Sequence, residues 1–242
     1  MLDHLLQNVL LIYLLEIGAA VSGTIYLNRI STSPPGVRLI VIYLWFVVFV
    51  EGVGLYPAYA YYSDYSRLGF IEGTLFERNY WWFNSYNVVK MIFLSYFFIR
   101  QFVSLRKKRV FYFITWILAV TFIADLVYSD TFFTHYPLYT AVMGAFYLIT
   151  LILMYHKDLV ESDRILDFHN NIVFYISIAM LLWHTMVTPL LIYSKYFSRT
   201  SPEFVALHSI ILQWANVLLY GIIILGFWVC QKNQKREEKV LR

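Results

Sequence analysis

A single cysteine, Cys230, stands among the 242 residues. It excludes an intramolecular disulfide, and a zinc or iron–sulfur centre, which needs several sulfur or imidazole ligands at set spacings, has no support. Charge is scarce too. Asp, Glu, Lys and Arg make up 14% of the chain, against about 25% in soluble domains. No internal repeat is visible, which argues against the inverted-repeat transporter architectures. The histidines show no HxxxH or HxxH spacing, and no serine or cysteine nucleophile motif is present. No catalytic residue, metal or cofactor is therefore expected.

What is there in excess is apolar: 60% hydrophobic residues and a mean hydropathy of +0.61. A stretch of about 20 apolar residues spans the hydrocarbon core of a bilayer. Seven such stretches can be read, at about 5–27, 37–60, 80–103, 110–128, 133–155, 170–193 and 204–229. The expected fold is all-α, a polytopic seven-transmembrane-helix bundle in one domain, 1–242, with a short basic tail at 231–242. The first stretch lacks the basic flank of a secretory signal and carries Glu16, so it reads as a retained helix. Ser31-Thr-Ser-Pro-Pro-Gly36 is turn chemistry that separates the first two helices. The longest connection, 61–79, is rich in aromatics and suits either the headgroup layer or a cover over the bundle mouth.

Orientation follows from the basic residues. Most of the 19 fall on one side, including Arg106, Lys107, Lys108, Arg109, Lys157, Arg164 and the tail; the other side has only Arg67, Arg78, Lys195 and Arg199. The N-terminus is expected outside and the C-terminus in the cytoplasm. Aromatic clusters at Tyr80-Trp81-Trp82 and at Tyr193, Tyr196 and Phe197 fall at the expected outer boundary, where amphipathic rings prefer to sit. The basic residues Arg106 to Arg109 suit contact with anionic lipid or a cytoplasmic partner protein, at about 1 kcal/mol of attraction per residue. No nucleic acid is implied.

Polar residues interrupt the apolar segments: Glu16, Glu51, Lys90, Asp125, His184, Gln213 and Asn216. At 1.5 Å per residue, they sit at similar depth in the middle to outer part of the membrane, so they can converge on one pocket. A charge at a helix centre costs about 2.5–3.5 kcal/mol, and Lys90 should not face lipid. Asn84, Asn87 and Lys90 share one face by their spacing. Candidate counterions for Lys90 are Glu16, Glu51 and Asp125. Glu51 is favoured because Gly52, Gly54 and Pro57 can open or kink the helix there. The bland alternative is that these charges only clamp helices together. For His184, packing is the favoured role, and for Gln213 and Asn216 it is interhelical hydrogen bonding. Gly18 with Ser22, and Ala19 with Gly23, permit close helix contact.

A retinal-binding rhodopsin would carry its lysine in the last helix, where this chain has none. Asn216-Val-Leu-Leu-Tyr220 and Gly226-Phe-Trp-Val-Cys230, with Thr188-Pro189 ending the sixth helix, resemble a family of uncharacterised bacterial seven-helix membrane proteins, often encoded near two-component signalling genes. The resemblance implies a bacterial cytoplasmic membrane and assigns no functional residues. The function expected is a non-enzymatic sensor or receptor-like subunit, binding a small amphipathic ligand in the outer half of the bundle and signalling through a partner. A proton- or ion-coupled transporter and an intramembrane lipid-modifying enzyme are the alternatives.

Overall fold

Backbone polar groups in a bilayer must be satisfied within the segment itself, so apolar runs of this length fold as helices. A computed structural model describes residues 2–30, 34–193 and 202–240, and among them there are helices and turns and no strand. Expectations placed on residues 31–33 and on Lys195, Tyr196, Phe197, Arg199 and Arg242 lie outside the described residues. The helices are α1 (Leu2–Arg29), α2 (Val37–Gly54), α3 (Tyr56–Tyr62), α4 (Tyr80–Gln101), α5 (Leu105–Tyr128), α6 (Leu138–Val160), α7 (Ile172–Tyr193) and α8 (Pro202–Val240).

Among the described residues, six spans are long and apolar enough to cross a membrane: Val9–Arg29, Val37–Tyr62, Leu105–Tyr128, Leu138–Val160, Ile172–Tyr193 and Glu203–Gln234. This is the architecture expected of an integral membrane protein. The helix missing from that set is α4. It has 22 residues, but it carries Asn84, Asn87, Lys90 and three tyrosines, which lower its hydropathy.

Packing closes a ring in the order α1, α2, α4, α6, α7, α8 and back to α1, while α5 lies outside against α4 and α6. Small residues set the close approaches. A Cβ on Gly23 would come within 2.7 Å of Val41 and 3.0 Å of Phe227, and one on Gly226 within 2.5 Å of the Tyr175 Cβ. These glycines let α1 sit against α2 and α8, and α8 against α7.

Several helix ends differ from the hydropathy reading. The second span breaks at Leu55, between Gly54 and Pro57, so α2 ends and α3 begins there. Arg106 to Arg109 do not form a loop: Ser104 caps α5 by accepting from the Lys107 amide at 3.4 Å, and these residues make its first turns. Lys107 Nζ bonds Asp158 Oδ1 at 2.6 Å, and Asp158 Oδ2 accepts from the Val103 amide at 3.2 Å, which ties the start of α5 to the end of α6. Pro137 caps α6, so it starts at Leu138 and not near 133. The last helix runs on past Val229 to Val240, because Lys, Gln, Arg and Glu are good helix formers once apolar packing ends.

At the end of the bundle where α1 begins, the segment after α3 is tied back to α3 and to the start of α4. The Tyr56 hydroxyl donates to the Phe76 and Arg78 carbonyls at 2.6 and 2.9 Å and accepts from the Trp81 indole at 2.9 Å. Phe76 packs edge-on against Trp81 and Phe133.

Candidate functional site

In the half of the ring nearer that end, α1, α2, α4, α7 and α8 enclose a cavity of about 310 Å³. Glu16 reaches it from α1, Glu51 from α2, Lys90 from α4, His184 from α7 and Asn216 from α8. Five of the residues picked out for their polarity in apolar segments thus line one space. Each comes from a different helix, so the site exists only when the ring is assembled.

The charges in it do not close on one another. Among the described residues the ion pairs within 4.0 Å are Lys107–Asp158 and Lys157–Glu161, both away from the cavity. Glu51 lies within electrostatic reach of Glu16 on one side and Lys90 on the other, without touching either. Lys90 instead places its Nζ over the rings of Tyr86 and Trp183, at 5.5 and 5.6 Å from their centroids. Such cation–π contacts contribute about 0.5–2 kcal/mol, and the favoured counterion, Glu51, is a neighbour and not a contact.

Among the described residues, two buried polar atoms at the cavity have no hydrogen-bond partner: Glu16 Oε2, on a side chain 4% exposed whose carboxyl group has the Tyr220 hydroxyl close by, and His184 Nδ1, on one 6% exposed. Buried polar groups are nearly always paired, and an orphan costs about 1–3 kcal/mol. Tyrosines supply further polar edges. The Tyr43 and Tyr86 hydroxyls are 3.0 Å apart, the Tyr13 hydroxyl donates to the Val48 carbonyl at 3.4 Å, and Tyr220 sits beside Glu16.

A second, smaller cavity of about 220 Å³ lies between α4, α6 and α7 and is reached by Asn87 and Thr140. Lys90, Trp183 and His184 line both spaces, so these three side chains form the wall between them. The Trp183 indole donates to Asn216 Oδ1 at 2.9 Å and meets His184 edge-on at 5.0 Å between centroids.

The remaining candidates stand elsewhere. Asn84 Nδ2 lies 3.0–3.3 Å from the carbonyls of Thr131, Phe132 and His135, holding the α5–α6 connection on α4. Asp125 Oδ2 accepts from Thr140 Oγ1 at 3.0 Å, on the α5–α6 contact outside the ring. Gln213 is half-buried on α8, nearly one turn before Asn216, and reaches neither cavity. Among the described residues no three His, Cys, Asp or Glu side chains form a group able to hold a metal ion.

Tyr13, Tyr43, Tyr86 and Trp183 were not singled out by sequence. Their signal was helical spacing: Tyr13 precedes Glu16 by three residues, Tyr86 precedes Lys90 by four, and Tyr43 precedes Glu51 by two turns on the same face. Compared with known proteins, the chain matches no family model, no curated protein and no solved structure.

Proposed function

We propose that this chain is a non-enzymatic, receptor-like membrane subunit that binds a small molecule in the central cavity and passes its state to a partner protein. In this reading α4 is the seventh span, its polar side turned to the cavity, with the N-terminus outside and the C-terminus in the cytoplasm. The basic residues at the opposite end, including Arg106, Lys108 and Arg109, support that orientation by the positive-inside rule. A bacterial cytoplasmic membrane is proposed on the resemblance in the last two helices alone.

One observation carries the reading. Ionisable side chains from four helices meet at a cavity without closing an ion pair among the described residues, and two of their atoms are buried there with no partner. A set of helix clamps would have closed those pairs, because a stranded buried charge costs about 3–5 kcal/mol. The continuation of α8 through residue 240 and the turns at 161–171 offer the partner a contact surface at the far end of the same helices.

The test is native mass spectrometry of the full chain purified in lipid, alone and after incubation with a membrane-free cell extract. A defined small molecule should be carried by the wild-type chain and lost in Leu219→Phe, which fills the cavity from α8. No captured molecule in either preparation, or equal capture by Leu219→Phe, sinks the reading.

The two cavities that share Lys90, Trp183 and His184 favour a second reading, a transporter in which this wall opens. It predicts uptake of the captured molecule into proteoliposomes, whereas the receptor reading predicts binding without flux.

A further inference from the structure

Resting on the cavity as a ligand site, we propose that its ligand is a small zwitterion, with an ammonium group held at the Glu16–Glu51 end and an anionic group held by Lys90 and His184. The starting point is a set of ionisable groups that are buried together and unpaired. Glu16 and Glu51 approach from α1 and α2, Lys90 from α4, and no ion pair closes among them. Opposite charges in a medium of low dielectric attract strongly, so a site that keeps them apart is shaped for a molecule that bridges them.

The orphaned atoms give the bridge its direction. Glu16 Oε2 is an acceptor without a donor, and an ammonium group carries three donors. At the other end His184 Nδ1 has no partner, and His184 is the neighbour of Lys90. In its Nδ1–H form it donates to the same anionic group that the lysine attracts. Tyr43 and Tyr220 also line the cavity, and the Tyr220 hydroxyl lies beside the Glu16 carboxyl group. A ligand with one charge satisfies only half of this. A simple cation is repelled by Lys90, and a simple anion meets two carboxyl groups. At about 310 Å³ the space is at the small end of ligand pockets, which suits a molecule of amino-acid size.

The experiment measures binding to the full chain in lipid nanodiscs by calorimetry and by thermal shift. The zwitterions are glycine, leucine and phenylalanine. The controls are the half-molecules of leucine and phenylalanine: isoamylamine and phenethylamine as cations, isocaproate and hydrocinnamate as anions. At least one zwitterion should bind saturably, and where its half-molecules are available each should be about tenfold weaker or worse, the loss of one charge-assisted hydrogen bond. In Lys90→Gln, checked for folding by its elution profile, the advantage of that zwitterion over its amine should shrink to about twofold.

If an amine or a carboxylate alone binds as tightly as the zwitterion, the proposal falls and the cavity remains a ligand site of other chemistry. If no zwitterion binds while native mass spectrometry still finds a captured molecule, the proposal also falls and the receptor reading stands. If neither method finds a ligand, both fall together.

Discussion

Lys90 has its charge over two aromatic faces and no carboxylate in contact. That geometry separates a ligand site from a helix clamp by the size of a stability change. Removing one member of a closed buried pair costs about 3–5 kcal/mol, because the other is stranded. Removing Lys90 strands nothing in contact and relieves its own desolvation, against the loss of cation–π contacts of about 0.5–2 kcal/mol. Lys90→Met should therefore change the stability of the unliganded protein by about 1 kcal/mol or less, read as the melting temperature in detergent, while ligand binding weakens about tenfold. A drop of clamp size would identify a closed pair. Asn84 is the contrasting case. Its amide serves the carbonyls of the 131–135 turn, so Asn84→Ala should cost about 2 kcal/mol and speed hydrogen exchange at residues 129–137 without touching ligand capture. Both residues are polar positions in the same apolar segment. Sequence grouped them, because spacing alone could not show that Asn84 turns toward a neighbouring connection and Lys90 toward the centre.

At the scale of the helix, long apolar runs and turn residues were legible, and helix ends were not. The break after Gly54 was signalled by two glycines and a proline. The early start of α5 was hidden, because hydropathy rejects Arg106 to Arg109, whereas the backbone responds to the Ser104 cap and the Lys107–Asp158 pair. Glycine contacts divide helix interfaces into tight and tolerant ones. A Cβ at Gly226 meets the Tyr175 Cβ at 2.5 Å, which no side-chain rotation can clear, while a Cβ at Gly18 meets only the Ile224 Cδ1 tip at 3.4 Å. Gly226→Ala should destabilise the α7–α8 contact by about 1–3 kcal/mol. Gly18→Ala should be neutral or raise stability by up to about 1 kcal/mol, the propensity gain of alanine over glycine. Thermal unfolding of the two variants side by side checks the contrast. Equal effects would mean that α7 and α8 are further apart than described.

At the scale of the whole molecule, depth along each helix was readable and rotation about it was not. Counting residues placed Glu16, Glu51, Lys90, His184 and Asn216 at a common level, and these five meet at one cavity. The same count placed Asp125 with them, but α5 lies outside the ring, and no feature of its sequence marks it as the peripheral helix. Direction across the membrane is a separate property, on which the coupling of cavity to partner depends. In the proposed orientation the turn at 129–137 faces outward and the start of α5 faces the cytoplasm. The only native thiol, Cys230, is fully buried and does not compete for reagent. In intact cells, Asp130→Cys, on an exposed turn, should be labelled by a membrane-impermeant maleimide, and Arg106→Cys, exposed in the first turn of α5, only after permeabilisation. The reverse pattern would put the cavity on the cytoplasmic side. The ligand would then be an internal metabolite, and the long extension of α8 would face outward.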